Sequence, residues 1–501
     1  MKKFLPIISA ILIVLPFYIP NFFFLALIGL LPLLISFKNA NVKQSIKYGW
    51  IFGFALVTFS GYWLFFPLYN FSGLPLPAVI LVLFLLFSLL AIFYGLTAGL
   101  LKNIGLTPFR LAVCWTAIEF LRYKILPHFS VGYLGYTQTS YSHLLQWADL
   151  GGIFLITFIV LLINGILYKL LITKQKKYLI ILIITLIIIS SYGVYRLNTL
   201  NTTNISEIKI GVVRSSIPQE VKWRPAKIES NIDHIFKQIE EAEREKPKLI
   251  VTPETAFTFD LTRNEYYRDM VQEKIKKINI PIQTGSQSIM DQPGKKYNSS
   301  FLISDNGKID QRYNKNDLLP FGEKIPLQNF VKIITGKKWS SLQEGSKKTI
   351  FKQDFAKWQV LICSEIMQTK PVSLIEKTGF IINQSNEAWF DSGVQQLMWN
   401  AAIFRAVENR RSIVKSGNLS YIGVVYPSGK YINDTLLSKP SYLITDIPLK
   451  NNITYYQKWG NIMGYGVLIL LGIYLIDFKL IKNIISSKEN HDENNRKNPR
   501  N

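Results

Sequence analysis

Long apolar runs fill the first 200 residues of the chain, and short polar connections separate them. Runs of this length predict membrane-spanning helices. We expect about eight spans, at residues 4–18, 22–37, 48–68, 78–101, 111–121, 152–172, 178–194 and 462–476. No small-residue cleavage pattern lies between the first two runs, so the first is interpreted as a retained span and not as a signal peptide.

Basic residues mark alternate ends of these spans. Lys2 and Lys3, the connections 38–47, 102–110 and 169–177, and the tail 479–501 are rich in lysine and arginine, whereas 69–77 has neither. By the positive-inside rule the basic connections and both termini are cytoplasmic, so the region between the seventh and eighth spans faces outward. The net charge of +24 is therefore a membrane signal, and without a nucleic-acid-binding motif it predicts no nucleic acid partner.

Between residues 205 and 450 the pattern changes to short apolar strands that alternate with amphipathic helices. The predicted strands are 208–213, 248–251, 280–285, 299–305, 358–363 and 380–383, and the predicted helices include 228–245 and 394–411. Such alternation indicates a layered α/β domain. The chain is thus expected to comprise a polytopic α-helical membrane domain (1–200, about seven spans), an inserted α/β domain (205–450), a final span (461–478) and a disordered cytoplasmic tail (479–501).

A cysteine, a glutamate and a lysine in the α/β region are candidates for covalent chemistry. Cys363 follows the apolar strand 359–362, Glu254 follows the strand 249–251, and Lys315 lies in the polar run 312–317. In such a set the carboxylate takes the thiol proton, the thiolate attacks a carbonyl carbon, and the ammonium stabilises the oxyanion. The alternative interpretation is that Cys363 is a small, buried hydrophobic residue without a chemical role.

Other residue types narrow the chemistry. The second cysteine, Cys114, lies within an apolar run, so a disulfide framework is not expected. Of the four histidines only His234 is in the α/β region, on a charged helix, which weakens a cysteine–histidine mechanism. No metal-ligand cluster or phosphate-binding glycine loop is evident, so no cofactor is invoked.

Four motifs in order resemble those of the nitrilase superfamily. They are Pro-Glu at 253–254, the run 313–326 that contains Leu-Leu-Pro-Phe-Gly-Glu, Ile-Cys-Ser-Glu at 362–365, and Ser-Asn-Glu-Ala-Trp-Phe at 385–390. Weaker matches are Ile-Pro-Gln-Glu-Val-Lys-Trp at 217–223 and Gly-Tyr-Thr-Gln at 135–138. Together with the flanking spans, the chain resembles the apolipoprotein N-acyltransferase family over nearly its whole length.

The resemblance implies an α-β-β-α sandwich and roles for six residues. Glu254 matches the general base, Lys315 the oxyanion-stabilising lysine, and Cys363 the acylated nucleophile. Glu323 and Glu365 match carboxylates that support the site, and Trp223 matches an aromatic residue near the substrate entrance. The alternatives are that the two glutamates cap helices or pair with lysines and that Trp223 is a core residue.

The resemblance further implies acyl transfer in a bacterial inner membrane, with the catalytic domain on the periplasmic side. An acyl chain would pass from a membrane phospholipid to Cys363 as a thioester, and then to the N-terminal α-amine of a diacylglyceryl-cysteine on an apolipoprotein. The kinetics would be ping-pong. The first alternative is a membrane-tethered carbon–nitrogen hydrolase that releases ammonia from an amide, and the second is a noncatalytic scaffold or transporter.

The sequence departs from the family pattern at several positions. Glu387 stands where Asp is common, Asp391 where Gly is common, and Ser364 where Tyr often follows the nucleophile. Residues 416–420 (Ser-Gly-Asn-Leu-Ser) replace a turn that resembles Thr-Asn-Gly. None of these departures removes a candidate catalytic group.

Two features of the membrane region invite separate predictions. Glu119 and Arg122 are three residues apart on the fifth apolar run, which favours a structural ion pair near the interface. The loop 122–147 is rich in Tyr, Gly and Gln, and is expected to be either an interfacial aromatic belt or a substrate-contacting loop.

Overall fold

The computed structural model describes residues 2–201, 206–289, 295–325, 328, 341–369, 378–390, 393–450 and 452–476. The predicted tail 479–501 and the family departure at Asp391 lie outside the described residues.

The first 201 residues form a helical bundle. Its helices are α1 Leu5–Tyr18, α2 Phe23–Ile28, α3 Leu31–Ser36, α4 Val42–Gly61, α5 Phe65–Phe71, α6 Leu76–Ile104, α7 Pro108–Ile125, α8 Ser142–Leu145, α9 Ala148–Thr173 and α10 Lys176–Asn201. Helix α4 begins with a capping box in which Asn41 and Gln44 bond each other's backbone N–H groups. Helix α9 is kinked at Gly151 and Gly152, where the backbone is not helical.

Four apolar helices of the described residues are long enough to cross a membrane. They are Val42–Phe71, Leu76–Ile104, Ala148–Thr173 and Lys176–Leu200. Three further apolar helices, Leu5–Tyr18, Pro20–Ser36 and Ile462–Ile476, are shorter. The predicted number of eight spans is therefore not confirmed, because a helix of 14 residues such as α1 reaches only about 21 Å across a core of about 30 Å.

The described residues from 206 to 459 contain thirteen strands and five α-helices. The strands are β1 Glu207–Arg214, β2 Leu249–Val251, β3 Phe257–Asp260, β4 Ile282–Ile289, β5 Lys296–Ile303, β6 Ile309–Asn314, β7 Ile350–Gln353, β8 Ala356–Ile362, β9 Phe380–Asn386, β10 Ser412–Asn418, β11 Ile422–Val425, β12 Tyr431–Asp434 and β13 Ser441–Pro448. The helices are α11 Gln219–Lys222, α12 Ile228–Glu243, α13 Glu265–Ile278, α14 Val394–Asn409 and α15 Tyr455–Trp459. A last helix, α16 Ile462–Ile476, follows.

The strands form one hydrogen-bonded sheet with the order β6-β5-β4-β2-β1-β10-β9-β8-β7. Its central pairs, from β4 to β8, are parallel, whereas the outer pairs β4–β5, β5–β6 and β7–β8 are antiparallel. Parallel strands covered on both faces are continuously apolar, which is why 249–251 and 380–382 carry no polar residue. All six predicted strands are confirmed, with ends displaced by up to four residues.

Side chains from the two halves of the sheet meet face to face. The indole Nε1 of Trp358 on β8 donates to Gln283 Oε1 on β4 at 3.0 Å, and Ser300 on β5 bonds Gln384 on β9. A buried apolar cluster between the halves contains residues of β1, β2, β5, β8, β9 and β10. Helices α12 and α13 cover one outer face through a second cluster.

Helix α14 joins the sheet to the membrane helices. Its buried side chains share one apolar cluster with Ile381 and Ile413 of the sheet and with helices α1, α7 and α9. Asn400 Nδ2 donates to the carbonyl oxygen of Phe17 at 2.8 Å, and the N–H of Ile153 donates to Glu408 Oε1 at 3.1 Å. The face of α14 that contacts the membrane helices is therefore part of the buried core of the protein.

The structure bears on both predictions for the membrane region. Glu119 accepts from Thr157 Oγ1 at 2.7 Å and from the N–H of Leu134 at 3.3 Å, while Arg122 donates to the hydroxyl of Tyr94 and to a backbone carbonyl. The predicted ion pair is wrong, since each charge is held by neutral partners. Residues 130–139 of the loop 122–147 are buried, so they do not form an interfacial aromatic belt, and the alternative of a substrate-contacting loop stays a prediction.

Candidate active site

Cys363 lies on a sharp turn between β8 and a short 3₁₀ helix, Cys363–Met367. Its φ is 51°, in the left-handed region that residues other than glycine seldom occupy. Such strain persists only where the surroundings hold the backbone in place. The side chain is only partly buried, as a reactive thiol requires.

Glu365 supplies much of that support. Its carboxylate accepts four hydrogen bonds: from the N–H of Ile362 at 2.7 Å, the hydroxyl of Tyr313 at 2.7 Å, the N–H of Asn316 at 3.0 Å and the N–H of Asp317 at 3.1 Å. One oxygen therefore holds the residue before Cys363, and the other holds the two residues after Lys315. Glu365 therefore connects the turn at Cys363 (the thiol turn) to the loop that contains Lys315 (the lysine loop).

Glu254 is buried just beyond the end of β2. Asn298 Nδ2 donates to its Oε1 at 2.6 Å, and the N–H of Asn386 donates to its Oε2 at 2.6 Å. The next residue, Thr255, has a φ of 43°, so the turn that presents Glu254 is also left-handed. Residues of β5 and β9 thus hold the carboxylate of Glu254, which follows β2.

Lys315 is buried and paired with Glu323. Its Nζ lies 2.6 Å from Glu323 Oε2, and Asn298 Nδ2 also donates to Glu323 Oε1 at 2.9 Å. Asn298 therefore links the carboxylates of Glu254 and Glu323. The four side chains form one continuous chain, Glu254–Asn298–Glu323–Lys315.

The charges of these groups act on one another and on the thiol. Burial raises the pKa of Cys363, the charges of Glu254 and Glu323 raise it further, and Lys315 opposes them. Burial likewise raises the pKa of Glu254, against the field of Lys315. The pKa of Lys315 is raised because Glu323, Cys363 and Glu254 outweigh its burial. At rest the site therefore favours a neutral thiol beside a carboxylate that binds a proton more tightly than usual.

The remaining predicted residues are also located. Trp223 is half-buried, and its Nε1 has no hydrogen-bond partner among the described residues. Ser364 Oγ is buried and likewise without a partner in that set. The family departure Glu387 is fully buried, and its Oε1 lies 2.6 Å from Lys415 Nζ, so the longer side chain is accommodated by an internal ion pair.

Three contributors were not predicted as site residues. Asn298 and the backbone N–H of Asn386 both hold Glu254, and no sequence signal marks Asn298. Lys222 is buried with its Nζ 3.1 Å from the carbonyl oxygen of Glu254 and 3.0 Å from Thr255 Oγ1. A lysine directly before Trp223 in the motif 217–223 is the signal that could have identified it.

Together these contacts bring Glu254, Lys315, Glu323, Glu365 and Cys363 into one site. The site offers a thiol on a strained turn, a carboxylate that can bind a proton, and an ammonium that can stabilise negative charge, which are the groups that covalent acyl transfer needs. Trp223, next to Lys222, lies at the same end of the sheet. This arrangement suits attack on an acyl carbonyl.

Comparisons with known proteins find relatives of both parts of the chain. The family model for the apolipoprotein N-acyltransferase N-terminal domain matches residues 9–166, and that for carbon-nitrogen hydrolase matches residues 209–418. An apolipoprotein N-acyltransferase of Aquifex aeolicus is 30% identical over 394 residues, 76% of this chain and 85% of that protein. One of Geobacter metallireducens is 24% identical over 481 residues, 92% of each chain.

A solved structure with a similar fold is an amidase from Nesterenkonia sp.. It has 14% sequence identity and a TM-score of 0.40, with 53% of this chain and 99% of the amidase covered. The match to the Aquifex protein extends over most of both sequences at 30% identity. The chain belongs to the apolipoprotein N-acyltransferase family.

Proposed function

We propose that this protein transfers an acyl chain from a membrane phospholipid to the N-terminal α-amine of the diacylglyceryl-cysteine of apolipoproteins, giving triacylated lipoproteins. The observation that carries the proposal is the position of Cys363 on a strained turn that Glu365 fastens to the Lys315 loop. Family membership supports the choice of substrates, since relatives over most of the chain carry the name apolipoprotein N-acyltransferase.

In the first half-reaction Glu254 takes the proton of the Cys363 thiol, and the thiolate attacks the ester carbonyl carbon of the phospholipid. The Lys315 ammonium stabilises the oxyanion. As the C–O bond breaks, Glu254 returns the proton to the leaving oxygen of the lysophospholipid. An acyl thioester on Cys363 remains.

In the second half-reaction the α-amine of the lipoprotein attacks the thioester carbonyl carbon. A C–N bond forms, the C–S bond breaks, and Glu254 accepts the proton that the amine loses. Glu254 then returns a proton to the released Cys363 thiolate. Because the lysophospholipid leaves before the amine reacts with the shared thioester intermediate, the kinetics are ping-pong. Glu323 and Glu365 position Lys315 and the thiol turn, and Trp223 borders the entrance.

Apolar contacts beside the site suit lipid substrates. Trp389 packs edge-to-face on Phe71 at 4.9 Å and Phe390 on Trp63 at 5.2 Å between ring centroids. These pairs connect the loop after Glu387 to the segment around α5. An apolar cover of this kind keeps water from the thioester.

The topology proposed with this function has about eight spans and a periplasmic catalytic domain in the bacterial inner membrane. The limits proposed are 1–200, 205–450, 461–478 and 479–501, with an α-β-β-α arrangement for the second unit. The apolar clusters on both faces of the folded sheet support four layers. Modification of cysteines introduced at residues 43 and 306 by a membrane-impermeant thiol reagent in intact cells tests the sidedness, and labelling at 43 alone contradicts it.

The acyl transfer is tested by intact-mass analysis of the purified protein after incubation with phospholipid. We expect a hydroxylamine-sensitive acyl adduct that is absent from Cys363→Ala and is discharged by a diacylated lipopeptide. A carbon–nitrogen hydrolase is the second candidate, favoured by the matching domain at 209–418. Ammonia release from an amide with no acyl adduct from phospholipid would replace the first proposal with the second.

A further inference from the structure

A second buried lysine, Lys222, faces the site and has no part in the reaction as proposed above. It is the last residue of helix α11 and is 1% exposed. Its Nζ donates to the carbonyl oxygen of Glu254 at 3.1 Å and to Thr255 Oγ1 at 3.0 Å. Both acceptors are neutral, and no carboxylate oxygen of the described residues lies within 4.0 Å of it.

Helix α11 is held by side-chain hydrogen bonds at both ends, and the first of them comes from a residue of the site. At its start, Gln219 Oε1 accepts from Asn386 Nδ2 at 3.1 Å, and the backbone of Asn386 holds Glu254. At its end, Asn231 Nδ2 donates to the carbonyl oxygen of Lys222 at 3.2 Å. The ammonium is therefore presented by a segment whose position is tied to that of the candidate base.

Lys222 and Lys315 both have charges that interact with Cys363, but their immediate surroundings differ. Lys315 lies 2.6 Å from Glu323, so that carboxylate cancels much of its field at a distance. Lys222 has no such partner, and its charge interacts with Glu254 and Cys363. A buried lysine that bonds only neutral acceptors is costly for the fold, which argues for a use.

We propose that Lys222 is a positioning residue and the second cation of the site: it holds the Glu254–Thr255 turn and stabilises the Cys363 thiolate. The inference rests on the proposed function in taking Cys363 as the nucleophile. Burial lowers the pKa of Lys222 to about 7, so the cation is present at and below neutral pH. The charged groups that interact with the thiol are Glu254, Lys315, Glu323, Glu387 and Lys222.

The test compares Lys222→Met and Lys222→Gln with Lys450→Met in the full-length protein. Gln removes the charge and keeps an N–H donor. Lys450 is the matched control, since it is also buried and donates to a carbonyl, that of Leu200 at 3.1 Å, at the end of β13. The readouts are the rate of iodoacetamide alkylation of Cys363 against pH, the rate of acyl-adduct formation, and the apparent Tm.

We expect both Lys222 variants to alkylate Cys363 about 10-fold more slowly than the wild type at and below pH 7, where Lys222 carries its charge, and to approach the wild-type rate above that pH. The same variants should form the adduct at least about 10-fold more slowly at pH 7. Lys450→Met keeps the wild-type profile and rate. A wild-type profile in either folded Lys222 variant overturns the inference, as does an equal change in Lys450→Met. A wild-type protein that alkylates normally and forms no acyl adduct instead refutes the proposed function and leaves the alkylation test valid.

Discussion

Substitution of Glu365 by Gln tests whether the thiol turn and the lysine loop act as one unit. The change keeps the shape of the side chain but replaces one oxygen by an NH₂ group. Because all four groups that face the carboxylate are donors, the amide cannot satisfy them all. In the better of its two orientations, the amide oxygen still accepts the hydrogen bonds from Tyr313, Asn316 and Asp317. The NH₂ group then faces the N–H of Ile362, so that two donors oppose each other and no bond forms.

The magnitude follows from the bonds. A hydrogen bond to a buried charged acceptor contributes about 1.5–3 kcal/mol, and a neutral one about 0.5–1.5 kcal/mol. Losing the 2.7 Å bond from Ile362 and weakening the other three therefore costs about 3 kcal/mol or more. For a unit of this size that lowers Tm by about 6–12 °C. The turn at Cys363 also relaxes, so acylation slows by about 10–100-fold.

The assay measures the apparent Tm in detergent and the initial rate of acyl-adduct formation on Cys363. Glu344→Gln is the matched control, because Glu344 forms an exposed pair with Lys324 at 2.8 Å and such pairs contribute about 0–1 kcal/mol. If Glu365→Gln keeps both the wild-type Tm and the wild-type rate, the carboxylate does not connect the two loops in the way described.

Two further predictions concern the membrane helices and the candidate base. Gly152 has a φ of 65° and a ψ of −161°, and a Cβ at this position would lie 2.4 Å from the ring of Tyr456. Gly152→Ala should therefore lower the free energy of unfolding by at least about 1–3 kcal/mol. Gly466→Ala is the control: its Cβ would meet nothing within 4 Å, so it should not lower the Tm. The protonated form of Glu254 cannot accept the thiol proton, and its pKa is raised, so acylation should fall as pH drops through a value above the usual glutamate range of about 4.3. A rate that stays level down to that ordinary value contradicts this assignment.

The strands and the candidate triad were accessible from sequence for different reasons. Apolar runs such as 249–251 and 359–362 predict strands because burial on both faces leaves little freedom in residue type. The candidate triad was predicted from short motifs, which indicate the type of chemistry but not where the side chains lie in space. Neither signal could place Asn298, which is 44 residues from Glu254 yet bonds it, since only the pairing of β4 with β5 brings the two together.

The membrane region was predicted less well, because hydropathy reports composition and not the partners that a fold supplies. Glu119 and Arg122 have the spacing of an ion pair along the helix. In the structure, however, Glu119 bonds Thr157 and Arg122 bonds Tyr94, and both partners come from other helices. The span count stays a prediction for a related reason: α7 is apolar and largely buried inside the protein, and hydropathy cannot distinguish a protein interior from a lipid interior.

The placement of α14 makes a final prediction about the fragment 206–450. Sequence patterning treats this segment as an independent α/β domain, but the side chains of Leu397, Met398 and Phe404 on α14 belong to the core shared with the membrane helices. Arg410, just after α14, is paired with Asp149 of α9 at 2.8 Å. Removing the membrane helices therefore exposes an apolar face and leaves a buried charge unpaired.

We expect fragment 206–450 to aggregate or to require detergent, because a large exposed apolar patch and an unpaired buried cation are each unfavourable in water. Size-exclusion chromatography and near-UV circular dichroism of the fragment without detergent measure this. A monodisperse monomer with native-like near-UV signals would mean that the contacts of α14 with α1 and α9 are dispensable for folding. The catalytic unit would then be anchored by its flanking helices alone, and the position of Cys363 relative to the membrane would not be fixed by packing.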